Sequence, residues 1–256
     1  MKKVLALIGN QQKHATFEAV CKFGEHLKAY GEIDFEYLFM KDYRLEYCRG
    51  CKLCFDKGEE YCPLKDDRDQ LIEKMSNADG IIFATPNYAF HVSAPMKNLL
   101  DRLAFVFHRP RFFGKTFTAI VNQGIFGGNS IVKYLSNMGE NFGFRVTKGC
   151  VLNTLEPRSE AAQQRFTQEI KKASARFYKE LMHTKPPVPT FFRLMMFRMS
   201  RTTIKSSLND KYLDYRHYKE QGWFESDYYY QVSLGFIKKT AGHVFDRMGH
   251  RMAKRL

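Results

Sequence analysis

Residues 4–16 read Val4-Leu5-Ala6-Leu7-Ile8-Gly9-Asn10-Gln11-Gln12-Lys13-His14-Ala15-Thr16. Five consecutive apolar residues stopped by a glycine suit a strand covered on both faces, the situation of a strand inside a parallel sheet. From Thr16 to about Ala29, apolar residues recur at Phe17, Val20, Cys21, Phe23 and Leu27, the spacing of one helical face. The polar turn between strand and helix therefore lies beside the helix's first amides and its positive dipole end, a natural seat for a phosphate. Thr16 is placed both to cap the helix and to bond the anion. Plain turn chemistry accounts for the same residues, since Gly, Asn and Thr are common in any such connection.

Working outward, the alternation repeats. Ile33 to Leu38 reads as a second strand, Asp67 to Met75 as a helix, and Ile81 to Ala84 as a third buried strand after the break at Ala78-Asp79-Gly80. Ala94 to Val106 reads as a helix, Phe117 to Val121 as a fourth strand, and Val146 to Leu152 as a fifth. Arg158 to Met182 is a long helix with Phe166, Ile170, Ala173, Phe177 and Leu181 along one stripe. Strand and helix alternating in this way predict an α/β fold, a doubly wound five-stranded parallel sheet with helices on both faces. Lys185-Pro186-Pro187-Val188-Pro189 cannot continue a helix, so a boundary belongs there. We expect one domain over residues 1–183 and a basic, aromatic-rich helical C-terminal extension over 184–256.

In such a sheet ligands sit beyond the carboxyl ends of the strands, so the loops after the first, third and fourth predicted strands are the places to look. The second of these loops, Thr85-Pro86-Asn87-Tyr88-Ala89-Phe90-His91, offers a rigid proline, an amide and two aromatics, suited to a planar heteroaromatic ring that needs hydrogen bonds at its edge. The same aromatics could instead pack on the next helix. The third, Asn122-Gln123-Gly124-Ile125-Phe126-Gly127-Gly128-Asn129, provides backbone freedom for close approach of a ligand, or simply a mobile turn.

These loops, with the helix Lys97-Asn98-Leu99-Leu100-Asp101-Arg102, resemble the NADPH-dependent FMN reductase and iron-sulfur flavoprotein group of flavodoxin-like proteins. That group pairs a phosphate loop after the first strand with a Ser/Thr-Pro-x-Tyr loop and a Lys-x-x-x-Asp-Arg helix, and the likeness covers roughly residues 1–182. The resemblance implies a flavodoxin-like fold and FMN as cofactor, with Asn10, Gln12, His14, Ala15 and Thr16 in the phosphate loop. It sets Pro86, Asn87, Tyr88, Ala89 and Phe90 with Gln123, Gly124 and Gly127 around the isoalloxazine ring, and gives Lys97, Asp101 and Arg102 a structural or dimer-forming role. The group usually has Ser beside the first glycine, Arg two places later, and Asn or Ser where this chain has Ala15. With Asn10 and Gln12 in those places, phosphate binding leans on backbone amides, Thr16, and Lys13 or His14.

Cys48, Cys51, Cys54 and Cys62 form C-x2-C-x2-C-x7-C, with Pro63 following. Thiolates two residues apart converge on one metal, and four are the right number for a 4Fe-4S cluster or for structural zinc; bare or redox-active thiols are the third reading. Iron-sulfur flavoproteins, by resemblance, carry a compact cluster motif in this place. Cys21 and Cys150 read as small core residues.

The implied chemistry is hydride transfer from NADPH or NADH to FMN and onward to a small acceptor or a cluster, with the flavin supplying the reactivity and no catalytic acid or base required. His14 and His91 read as bystanders. The resemblance also implies a homodimer. The first apolar run is too short for a secretory core and no window spans a bilayer, so the reading places the chain in a reducing cytoplasm.

The competing class is a binding module without catalysis. The net charge is +14, and +8 of it lies from Thr184 onward, where 14 Lys and Arg face 6 Asp and Glu. The end of the chain reads as a helix bearing Phe236, Ile237, Val244, Phe245 and Met248 beside basic residues, a pattern that suits an anionic membrane. The same stripe could pack on the domain or on a second subunit. Nucleic acid is disfavoured: Tyr228-Tyr229-Tyr230 could stack bases, but no recognised motif accompanies it.

Overall fold

The computed structural model describes residues 1–255, which divide into two compact units. The first comprises Met1–Arg49 and Leu64–Thr184. Its strands are β1 (Lys2–Ile8), β2 (Ile33–Phe39), β3 (Gly80–Pro86), β4 (Thr116–Gln123), β5 (Arg145–Val146) and β6 (Cys150–Asn153), all paired in parallel. The order is β2-β1-β3-β4-β5, with β6 also on β4, which is the flavodoxin-like arrangement whose reversal lies between β1 and β3. Val4 to Ile8 and all of Gly80–Pro86 are buried, as expected of strands covered on both faces.

The expected fifth strand, Val146 to Leu152, is two strands. Thr116 pairs with Arg145 but Ile120 pairs with Cys150, so the pairing offset grows by one residue between β5 and β6. Thr147–Gly149 absorbs that extra residue as a bulge would. Gly149 permits it, because a Cβ there would lie 2.5 Å from the Ala119 carbonyl oxygen.

On one face of the sheet lie helices α1 (Ala15–Tyr30) and α6 (Glu160–Leu181), whose Phe23, Leu27, Ile170 and Phe177 pack with Val4, Ala6, Ile8 and Ile82. Strand alternation turns Leu5, Leu7, Ile81 and Phe83 to the other side, where α3 (Arg68–Asn77), α4 (Ala94–Arg102) and α5 (Gly128–Asn141) supply Leu71, Met96, Leu99 and Ile131 to the buried set.

The second unit comprises Gly50–Pro63 and the chain from Lys185 onward. Its helices are α2 (Leu53–Asp56), α7 (Phe191–Ser207), α8 (Leu213–Glu220) and α9 (Phe236–Ala253). The segment Gly50–Pro63 joins this unit through α2, which packs on α8. Tyr218, Trp223, Tyr228 and Phe197 are buried here, and the Trp223 indole donates to the Tyr229 carbonyl at 3.1 Å. Among the described residues no helix is long and apolar enough to cross a membrane.

Candidate functional site

At the carboxyl ends of β1, β3 and β4 the three connections enclose a cavity of about 610 Å³. It falls within the range of roughly 300–1,000 Å³ in which small molecules and cofactors are held. Two strands of hydrogen bonds lock its walls together. The Gly9 amide donates to the Ala84 carbonyl at 2.8 Å, and the Ser93 hydroxyl donates to the Gly9 carbonyl. Ser93 opens α4 without capping it; its amide donates to the Thr85 hydroxyl at 3.0 Å, so a buried serine fastens the loop after β1 to the loop after β3. Gly9 is required at this crossing, since a Cβ would stand 2.7 Å from the Ser93 hydroxyl oxygen and 3.0 Å from Met96.

Helix α1 begins at Ala15 with His14 in the cap position and no side chain capping it. Thr16 does not cap the helix as expected; it is a buried residue of the first turn, two positions too late for that role. The first amides of α1 thus keep no intrahelical acceptor, and Ala15 and Thr16 line the cavity. Asn10, Gln12 and His14 line it as well, the Asn10 amide donating to the Gln12 carbonyl and the His14 Nε2 meeting the Gln12 side chain. Lys13 does not line it, its Nζ lying 5.5 Å from the centre of the Phe17 ring.

The loop after β3 carries Pro86, Asn87 and Tyr88 into the cavity wall. The Asn87 amide donates to the Asn122 carbonyl at 2.7 Å, extending the ladder, and its side-chain Nδ2 donates to the Phe126 carbonyl at 2.9 Å. Tyr88 and His91 then exchange backbone bonds of 3.1 and 3.0 Å around Ala89 (φ 49°) and Phe90 (φ 61°). Two consecutive left-handed residues make a primed turn, which favours Asn-Gly; Ala-Phe in its place stores roughly 1–3 kcal/mol of strain per residue. The turn holds Tyr88 and Phe90 out at 63% and 61% exposure, with Phe90 5.4 Å from the Phe126 ring.

Gln123 and Gly124 close the third side. The Gln123 side chain accepts from the Gly128 amide at 2.6 Å and donates to Ile125 and Asn153, so it braces the loop. Of the sequence-predicted residues, Ala89, Phe90 and Gly127 stand outside the cavity lining. Gly127 (φ 99°) faces Phe90, and a Cβ there would lie 2.8 Å from that ring.

Sequence reasoning missed Asn122, Ser93 and Gly9 among the lining residues. Asn122 is the most informative. It is 4% exposed, and neither its Nδ2 nor its Oδ1 has a hydrogen-bond partner among the described residues; Asn10 Oδ1 and Asn87 Oδ1 are buried in the same condition. Buried amide atoms without partners are costly, and the two of Asn122 together with the Asn10 and Asn87 oxygens mark a surface shaped for a polar ligand edge. The signal available in the sequence was an amide residue directly after the apolar run Ala119 to Val121. We expect Asn122→Leu to stabilise the ligand-free protein by about 1 kcal/mol while weakening its ligand about tenfold. Urea unfolding and ligand titration of the same variant read the two opposite signs.

Cys48 belongs to the first unit and is exposed, whereas Cys51, Cys54 and Cys62 belong to the second, Cys51 exposed and the others partly buried. Among the described residues no three His, Cys, Asp or Glu side chains stand where they could hold a metal ion, and no disulfide is formed. Cys150 is a core residue, where burial pushes its thiol up to about 12. Cys21 is partly buried, and desolvation raises it with a smaller contribution from Glu25.

Strand order and loop geometry define a flavodoxin-like α/β protein. The family model of NADPH-dependent FMN reductases matches residues 2–154, and the chain belongs to that family. An iron-sulfur flavoprotein of Archaeoglobus fulgidus is 33% identical over 129 residues, 50% of this chain and 62% of that one. Iron-sulfur flavoprotein MJ1083 of Methanocaldococcus jannaschii is 36% identical over 102 residues, 39% of this chain and 51% of that one. The chain thus spans between about half and 62% of the length of these relatives. Among solved structures, RosB with bound 8-demethyl-8-formylriboflavin-5'-phosphate shares the fold with a TM-score of 0.56 at 14% identity, covering 92% of each chain.

Proposed function

We propose that the cavity holds FMN and that the protein is an NAD(P)H-dependent FMN oxidoreductase passing electrons to a small acceptor. The observation that carries the reading is the set of unpartnered buried amide atoms on Asn10, Asn87 and Asn122 around a cavity of fitting size. Family membership agrees with it. The uncapped start of α1, with Thr16 beside it, suits the phosphate; Pro86, Asn87, Tyr88, Asn122 and Gly124 suit the ring and its polar edge.

The chemistry FMN would supply there is acceptance of a hydride from a nicotinamide and release of the electrons as a pair or singly. The protein's part is orientation. Ser93 and Gln123 fix the loops in register, and the strained turn at Ala89-Phe90 keeps two aromatic rings at the mouth for a flat acceptor to stack on. No side chain is assigned a proton-transfer role.

Reconstitution tests the reading: we expect one FMN per chain by absorption, bleaching of the flavin on anaerobic addition of NADPH or NADH, and reoxidation by a quinone or free flavin. A protein that takes up no FMN at high cofactor concentration sinks it. Resemblance to the family further supports a homodimer working in the cytoplasm, which light scattering and fractionation check. Transfer to a 4Fe-4S cluster requires Cys48, Cys51, Cys54 and Cys62 to close around a metal, and iron and acid-labile sulfide analysis of anaerobically purified protein decides it.

A further inference from the structure

The second unit carries an outward surface that the flavin reading does not use. Helices α7 and α9 run parallel, as successive contacts show: Arg198 to Asp246 at 2.5 Å, Thr203 to the Gly249 carbonyl at 3.3 Å, and Ser206 to His250 at 3.0 Å. Gly242 and Gly249, seven residues apart, let the helices approach closely. A Cβ at Gly242 would lie 3.2 Å from the Arg198 guanidinium carbon, and one at Gly249 2.9 Å from the Met199 carbonyl oxygen. Asp246, the one acidic residue of α9, is turned into this seam and held by Arg198, Arg201 and Thr202.

What remains outside is apolar, positive or, at Thr240, His243 and His250, neutral and polar, with no further carboxylate. Ile237, Val244, Met248 and Met252, spaced by seven, four and four residues, form one stripe of α9 and are 73%, 47%, 40% and 46% exposed. Arg247, Arg251 and Lys254 follow one another along its flank, all exposed. With Arg255 they make no ion pair among the described residues. An outward helix surface with an apolar stripe, a cationic flank and no carboxylate is unfavourable to leave in water and has a definite complement.

We propose that α9 docks this surface onto an anionic lipid bilayer, the stripe entering the boundary between headgroups and acyl chains and the cationic flank meeting the lipid phosphates. Charge decides the occupant. A second copy paired about a two-fold axis would bring the same unpaired cations against each other. Single-stranded nucleic acid would use the cations but leave the Ile, Val and Met stripe without a function, since its bases stack on aromatic rings. The inference concerns the second unit alone and stands whether or not FMN binds in the first.

The test is co-sedimentation of the full chain with vesicles of phosphatidylcholine alone or mixed equally with phosphatidylglycerol, at 0.1 and 0.5 M salt, where the Debye length falls from about 10 Å to about 4 Å. We expect binding to the mixed vesicles at least tenfold tighter than to the neutral ones, and loss of that difference in high salt. Arg247→Gln/Arg251→Gln should weaken it roughly 30-fold, taking about 1 kcal/mol per basic residue. Val244→Ser/Met248→Ser should weaken binding at both salt concentrations. Circular dichroism and gel filtration confirm that both variants remain folded. No pelleting with anionic vesicles, equal binding to neutral vesicles, or binding unchanged in the arginine variant overturns the proposal. So does a wild-type dimer that the stripe variant converts to monomer, which would give the face to a second copy.

Discussion

Gly9→Val should leave a protein that retains little or no FMN, with affinity reduced at least about 100-fold, because the substitution strikes the point where the two principal loops cross. Its Cβ alone would enter the 2.7 Å gap to the Ser93 hydroxyl and the 3.0 Å gap to Met96, and valine adds two methyl groups beyond it. The Ser93 hydroxyl cannot then keep its bond to the Gly9 carbonyl, and the Thr85 to Ser93 link that holds the loop after β3 is displaced with it. Overpacking of this kind costs roughly 1–3 kcal/mol of stability, and it is met here by a loop shift that moves Asn10 and the start of α1 away from Asn87 and Asn122. Displacement of about 1 Å in a positioning element commonly reduces function about 100-fold. Equilibrium dialysis against FMN, alongside thermal unfolding of the ligand-free variant, separates the two effects. Wild-type affinity in a folded Gly9→Val protein would show that the loop after β1 does not hold the cofactor.

The sheet was legible because parallel strands covered on both faces read as apolar runs; Val4 to Ile8 and Ile81 to Ala84 are unbroken, and Phe117 to Val121 is interrupted only by the buried Thr118. The division of the last strand was not, because the added residue between Thr116–Arg145 and Ile120–Cys150 is a property of pairing, which no local pattern reports. At the site, Asn10, Thr16, Asn87 and Tyr88 could be found from their position after buried strands. Asn122 could not be separated from its neighbour Gln123 by composition; only burial without partners distinguishes the amide open to a ligand from the amide bracing the loop. Ala89 and Phe90 gave no warning of their left-handed backbone, since neither is a residue that turns of this kind prefer. The cysteine spacing was plain, yet the association of Gly50–Pro63 with the C-terminal helices depends on contacts more than a hundred residues apart in sequence.

Asp246→Ala is expected to destabilise the second unit by about 3–5 kcal/mol, because it leaves Arg198 and Arg201 buried with much of their compensation gone. The Arg198 and Arg201 side chains are 5% and 9% exposed, and Asp246 accepts from them at 2.5 and 2.8 Å and from the Thr202 hydroxyl at 2.8 Å. Asp227, at 2.9 Å from Arg198, neutralises only part of what is left. Burial pushes the Asp246 carboxyl up, but the Thr202 hydrogen bond and the two guanidinium groups outweigh it and hold the carboxyl below its ordinary value. A carboxyl depressed on folding stabilises the folded state above its unfolded pKa, and that contribution disappears as pH falls through the lower folded value. Denaturant unfolding should therefore show a wild-type advantage over Asp246→Ala that is constant near neutrality and shrinks in acid. Asp246→Asn, which keeps the shape and the Thr202 bond but not the charge, should fall between them. An Asp246→Ala protein as stable as wild type at pH 7 would mean that the arginines find water or other acceptors, and that the inward acid does not hold α9 against α7.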